Sequence, residues 1–251
     1  MHTVALLPDR GDMADHVRVN VGGTRNVLDA AERNGVSRVL HVSSVAVWGY
    51  EFDHDLDEDA PPRPCGNPYI DTKGTSELLA RRRGATVVRP GDVYGPRSEP
   101  WAIRPVNALK SGMFALPAGG EGLVTPVYID DLVDCFVRAL TMPEAEGQVF
   151  TCWDGNAVTT REFFGYHARW TGKSIHTAPT PLVKLGAAAG ALVARAQGKQ
   201  PDASPDSLQF ISRKAVYPND RARDVLGWEP RTTLDEGMRR VEEWLRSEAL
   251  L

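Results

Sequence analysis

Tyr69 and Lys73 stand four residues apart in the stretch NPYIDTKGTSE, residues 67 to 77. If both lie in the first turns of a helix, their side chains share one face. An ammonium beside a phenol favours phenolate and draws a reference pKa of about 10 toward neutrality. A serine at the carboxyl end of a neighbouring strand, Ser44, can hydrogen-bond the substrate oxygen. Together the three suit removal of a proton from a secondary alcohol as hydride leaves, or its return on reduction. A Tyr and a Lys at this spacing also occur by chance in many helices, so the surrounding elements must carry the reading.

Those elements alternate. VALL at 4–7 suits a strand, and 12–34 suits a helix in which Val17, Val21, Thr24, Leu28 and Ala31 recur at spacings of three and four. VSRVLHVSS at 36–44 reads as a buried strand, a helix runs on from about Tyr69, and ATVVRPGDV at 85–93 reads as another strand. A helix over about 130–140 and a strand at 147–153 follow. The pattern predicts an α/β fold: a parallel, Rossmann-type sheet flanked by helices. Sites in such sheets lie beyond the carboxyl ends of the strands, where Ser43, Ser44 and the residues after Pro90 fall. Residues 97–129 and 154–219 are richer in Gly, Pro and short polar segments. We expect residues 1–153 to form the core with part of a small lobe inserted at about 97–129. Residues 154–251 then form most of that interleaved substrate lobe. A last helix, with Leu234, Met238, Val241, Trp244 and Leu245 as its apolar stripe, should dock on the body.

Bulk properties narrow the class. The chain has 251 residues, 42% hydrophobic and 25% charged, with 33 acidic against 29 basic side chains and a net charge of -4. It has no long positive block to draw it to nucleic acid. The longest near-continuous apolar stretch, LGAAAGALVA at 185–194, falls short of the roughly 20 residues of a membrane span. Cys65, Cys135 and Cys152 are odd in number and widely spaced, which predicts free thiols and a cytoplasmic setting.

The blocks NVGGTRNVLDAAERNGVSRVLHVSSVAVWG, EDAPPRPCGNPYIDTKGTSE, VVRPGDVYGPR, PVYIDDLVDCFVRAL and NDRARDVLGWEPRTTLDEGMRRVEEWL follow one another along most of the chain. In this order they resemble the extended short-chain dehydrogenase/reductase family, also described as the NAD-dependent epimerase/dehydratase family. The resemblance implies that Tyr69 is the general acid/base and that Lys73 lowers its pKa and holds the nicotinamide ribose. It implies that Ser44 polarises the substrate oxygen, four residues before Trp48, where the family usually has a tyrosine. It gives Asn20 a supporting role behind the site. It sets Pro90 and Val93 near the nicotinamide amide, and Val4 and Ala5 among the small apolar residues lining the cofactor. The implied cofactor is NAD or NADP, the partner is a small-molecule substrate, and a homodimer through the helix beginning near Tyr69 is possible within the family.

A dinucleotide fold opens with a strand and a glycine-rich turn at a helix N-terminus. The glycines of VGG at 21–23 sit inside a helix pattern with no strand feeding them, and read as packing glycines. The segment HTVALL resembles the family's fourth strand. The expectation is therefore a truncated chain lacking two strand-and-helix units, about 60 residues, together with the residue that selects NAD or NADP. A fourth strand left as an edge would offer unpaired backbone groups.

Three departures bear on the substrate. Ser44 is followed by Val45 and Ala46 in place of the acidic pair of sugar-nucleotide dehydratases. Asp92 stands where epimerases commonly have asparagine, and Val124 near where they have arginine. An aspartate repels a diphosphate and a valine offers it nothing. GMFALPAGG and the apolar Leu182–Ala194 segment instead suit a hydrophobic alcohol or ketone, as in branches resembling 3-beta-hydroxysteroid dehydrogenase or dihydroflavonol reductase. The same apolar segment also reads as a core helix. The alternatives are a sugar or nucleotide-sugar epimerase, which uses the same Ser, Tyr and Lys, and a catalytically silent remnant or interaction module. The acidic run Asp53, Asp55, Asp57, Glu58, Asp59 lacks calcium-loop spacing and reads as solvated loop. The histidines lack zinc spacing, and His41 reads as hydrogen-bonded core packing.

Overall fold

The computed structural model of the chain describes residues 1–8, 10–50, 56–196 and 205–251, which fall into two compact units. The first unit comprises Met1–Gly91, Asp130–Trp153 and Tyr217–Pro230. Its centre is a parallel sheet of Leu40–Val42, Thr86–Pro90 and Val149–Cys152, in that order. The middle strand is buried along its whole length. That is why Val87 and Val88 stand side by side without polar alternation, and why the charge of Arg89 beside them is paired inside the protein. The segment 4–7 does not form the expected strand. One parallel bridge joins His2 to His41, through His2 N–H to Leu40 O at 2.8 Å and Val42 N–H to His2 O at 3.0 Å. Among the described residues no ladder bond joins 3–7 to the sheet, and Val4 is 65% exposed.

Helical backbone runs from Met13 through Arg33, but with a wide π-helical turn at Val17–Gly22. The extra residue in that turn shifts the stripe by about 100°. Thr24 and Leu28 are buried as the spacing predicts, whereas Val17 faces solvent at 47% exposure. Gly23 is not a packing glycine, since a Cβ there meets nothing within 4 Å, while a Cβ at Gly22 would sit in ordinary contact with Val17 O at 3.7 Å. This helical stretch packs on Pro68–Arg82, and Asp220–Leu226 packs on Val149–Cys152. Trp228 Nε1 donates to Asp131 O at 2.9 Å, which ties the segment after Leu226 to the helix Ile129–Thr141.

The second unit comprises Asp92–Ile129, Asp154–Val216 and Arg231–Leu251. It holds three two-stranded ladders: Asp92–Tyr94 with Pro126–Tyr128 and Ala115–Pro117 with His176–Ala178, both parallel, and Leu123–Val124 with Val158–Thr159, antiparallel. Its core gathers Tyr94, Trp101, Phe163 and Phe164 with Met238, Val241 and Leu245 of the terminal helix Leu234–Ser247. The apolar helix Thr180–Ala196 is neither core nor a covered pocket wall. Leu182, Leu185 and Leu192 are 60 to 71% exposed, so these leucines of the run that suggested an apolar substrate face solvent.

Two further expectations change. Cys135 and Cys152, both buried in the first unit, are joined as a disulfide, and Cys65 alone among the cysteines is free. Asp53 and Asp55 lie outside the described residues. Glu58 is not solvated loop: it is 5% exposed and its carboxylate accepts the Thr151 N–H at 2.5 Å and the Arg221 N–H at 3.1 Å.

Candidate active site

The helix Pro68–Arg82 starts where its sequence tells it to. Asn67 caps it, its side-chain oxygen accepting the Tyr69 and Ile70 N–H groups at 3.0 and 3.2 Å, and Pro68 occupies the first turn. Tyr69 and Lys73 follow within that turn and the next. Ser44 ends the strand on the other side, half-buried, where it caps the short 3-10 turn Val45–Trp48 by accepting the Ala46 N–H at 3.1 Å.

The structure brings Ser44 and Tyr69 together. The Ser44 hydroxyl lies close enough to the half-buried Tyr69 phenol to act on it. Burial holds the phenol above its ordinary pKa, and the Ser44 hydroxyl works in the opposite direction. The lowering expected from Lys73 thus comes from Ser44. Lys73 is 3% exposed and donates from Nζ to Val42 O at 2.6 Å. Burial pulls its ammonium down to about 8, while Glu77 acts to keep it charged. The positive charge of Lys73 is felt by His2 and His41, both held below the ordinary histidine value chiefly by burial.

Asn20 lies in the π-helical turn, 1% exposed. Its Oδ1 accepts the Leu6 N–H at 2.7 Å and its Nδ2 donates to Thr72 Oγ1 at 3.0 Å. It therefore links the N-terminal segment to the residue preceding Lys73. Ala5, half-buried, and the exposed Val4 sit on that segment. Pro90 ends the middle strand opposite Cys152, and the Gly91 N–H donates to Cys152 O at 3.0 Å. Val93 belongs to the second unit, where it pairs with Val127.

Three residues escaped the sequence reading. His16, 1% exposed, meets the Tyr69 ring edge-on with centroids 6.4 Å apart, and its Nδ1 lies 3.3 Å from Asn20 Nδ2. Glu77 and Arg89 form an ion pair with both side chains fully buried. Glu77 continues the four-residue spacing of Tyr69 and Lys73, a signal that was present. His16 lies four residues before Asn20 on one helical face. His41 is buried as expected but not hydrogen-bonded, since neither ring nitrogen has a partner among the described residues.

In the second unit, Asp92 is not an open negative charge. Its carboxylate accepts the Thr125 N–H at 2.7 Å and pairs with Arg213. The repulsion of a diphosphate expected from Asp92 is thereby offset by a guanidinium in contact with it.

Residues 9–152 match the NAD dependent epimerase/dehydratase family. The chain is 33% identical over 246 residues to UDP-glucose 4-epimerase of Mycolicibacterium smegmatis, covering 92% of this chain and 69% of that protein. It is 28% identical over 192 residues to N-acetyl-alpha-D-glucosaminyl-diphospho-ditrans,octacis-undecaprenol 4-epimerase of Escherichia coli O157:H7, covering 72% of this chain and 57% of that one. Among solved structures it is similar to MoeE5 in complex with UDP-glucuronic acid and NAD, with a TM-score of 0.75 at 25% identity, covering 98% of this chain and 78% of that one.

Proposed function

Because the chain belongs to the NAD dependent epimerase/dehydratase family, we propose that it supplies the proton-transfer unit of an NAD(P)-dependent oxidoreductase or epimerase acting on a sugar or nucleotide sugar. The observation that carries this reading is the approach of the Ser44 hydroxyl, beyond a parallel strand's carboxyl end, to the Tyr69 phenol, with Lys73 one turn along the same helix. Similarity to a UDP-glucose 4-epimerase supports the sugar side of the reading. The solvent-facing helix Thr180–Ala196 withdraws the main support for a steroid-like or flavonol-like ketone.

The residues present fit a nicotinamide ribose. Lys73 has a single hydrogen bond among the described residues, to Val42 O, so two of its three N–H donors are open for a pair of hydroxyls. Ala5 and Pro90 are the apolar neighbours we assign to the ring. When bound, the nicotinamide takes and returns hydride at the carbinol carbon. As the phenolate, Tyr69 would take the proton of the sugar hydroxyl on Oη as the carbon is oxidised, becoming the neutral phenol, while Ser44 donates a hydrogen bond to the same oxygen. Tyr69 then returns the proton when the resulting ketone is reduced. Reduction on the opposite face of the sugar inverts the carbon, and Ser44, Tyr69 and Lys73 serve both directions unchanged.

The test is incubation of the protein with UDP-glucose and catalytic NAD, followed by anion-exchange separation of the epimer. Appearance of UDP-galactose without net NADH supports epimerisation. In a parallel reaction with excess NAD, NADH formed one-for-one with a keto product supports a sugar oxidoreductase instead. Reduction of NAD by a hydroxysteroid, with nucleotide sugars inert, overturns the proposal.

A further inference from the structure

Glu77 sits one turn beyond Lys73 on the buried side of the helix Pro68–Arg82, with no exposed surface. Its Oε2 accepts the Ser43 hydroxyl at 2.7 Å and Arg89 Nε at 2.9 Å, and its Oε1 accepts Arg89 Nη2. A guanidinium that meets a carboxylate through two parallel bonds fixes orientation as well as charge.

Each partner leads to a strand end. Ser43 immediately precedes Ser44, and its own N–H donates to Val88 O at 2.7 Å. Arg89 immediately precedes Pro90. Its guanidinium lies over Trp48, 4.2 Å from the ring centroid, and donates from Nη1 to Glu58 O at 3.0 Å. One carboxylate thus ties the helix of Tyr69 and Lys73 to both strand ends of the candidate site. Its charge also opposes the effect of burial on Lys73. The other ionisable groups facing Lys73 are His2 and His41, and Glu77 itself has Arg81 Nη1 at 3.9 Å from its Oε1.

We propose that Glu77 is a positioning residue for the proton-transfer unit: through Ser43 and Arg89 it registers the Ser44 strand end against the tyrosine helix, and its carboxylate is the buried countercharge one turn from the Lys73 ammonium. The inference rests on the assignment of Ser44, Tyr69 and Lys73 made above. It extends that assignment to a carboxylate that touches neither substrate nor cofactor.

The test reads Lys73 directly and without substrate. Carbon-13 at lysine Cε is followed against pH, and the Lys73 resonance is identified by its loss in Lys73→Met. In Glu77→Gln the Lys73 midpoint should fall by about one unit, tenfold in acid constant, and Glu77→Asp should restore part of it. Circular dichroism checks that each variant is folded. Should Glu77→Gln leave Arg89 uncompensated and fail to fold, the double variant Glu77→Gln/Arg89→Gln removes both charges and is titrated in its place. With Arg89 neutral as well, a drop of less than tenfold is expected, and its absence overturns the proposal just as an unchanged midpoint in folded Glu77→Gln does. A turnover assay on nucleotide sugars is run beside the titration. In it Glu77→Gln should lower kcat with little change in KM. No turnover by the unaltered protein on any nucleotide sugar overturns the function proposed above while leaving the Lys73 titration to decide the role of Glu77.

Discussion

Asp92 and Arg213 form an ion pair across 121 residues of sequence, with side chains 2% and 1% exposed. Burial pushes the Asp92 carboxyl up, and Arg213 with the Thr125 N–H pulls it back. Removing one member of such a pair strands the other, at about 3–5 kcal/mol, whereas replacing both by apolar groups is often neutral. We expect Asp92→Leu and Arg213→Met each to lose stability on that scale, and the double variant to lose less than either. Urea denaturation of the four proteins completes the cycle. Additive losses would mean that the contact carries no coupling.

Tyr69→Phe removes the proton-carrying oxygen and keeps the ring. Turnover should fall by about 10²–10⁴-fold, the usual contribution of a positioned acid/base, with unchanged nicotinamide binding by fluorescence titration. Ser44→Ala should cost less, since its hydroxyl adds one hydrogen bond to the substrate oxygen. It should also raise the Tyr69 pKa, because Ser44 is the group acting to lower it. A pH–rate profile whose limb does not move in Ser44→Ala speaks against that contact.

The sheet was legible because strands buried on both faces lack polar alternation, as at Val87–Val88 and Val149–Phe150. Asn67, Pro68 and the Tyr69–Lys73 spacing marked the key helix for local reasons of capping and period. Long-range pairing left no such mark. Nothing local says that Lys73 reaches Val42 O, or that Asp92 meets Arg213 from 121 residues away. The helix Thr180–Ala196 misled for a different reason. Its composition reports apolar surface, and composition alone cannot say whether that surface is covered. The π-helical turn at Val17–Gly22 was likewise invisible to a fixed period of 3.6.

Gly122 offers a test of the second unit that involves no ionisable group. A Cβ built there would lie 1.9 Å from Ile211 O, within a segment held by Leu123 N–H to Arg213 O at 2.7 Å and Thr160 N–H to Gly122 O at 2.7 Å. Backbone, not a flexible side-chain end, blocks the methyl. Gly122→Ala should therefore destabilise by roughly 3 kcal/mol or more, the range of severe overpacking. A thermal or urea midpoint close to that of the parent would show that the two segments can separate without loss.

Lys73 makes the last prediction, through linkage. Its folded pKa of about 8 lies below the unfolded value of 10.5, so between these pH values the unfolded chain binds more protons. Stability from this group therefore rises with pH across that window. It is fully present above about 10.5 and lost as pH falls to about 8. The displacement corresponds to on the order of 3 kcal/mol. Other groups titrate in the same range, so the quantity to measure is the difference in unfolding free energy between the parent and Lys73→Met. That difference should shift in favour of the parent as pH rises from 8 to 10.5, by an amount of this order. A flat difference would place the Lys73 pKa at its ordinary value and its ammonium in contact with water. In Glu77→Gln the window should open at lower pH, because the charge that helps keep Lys73 protonated is gone.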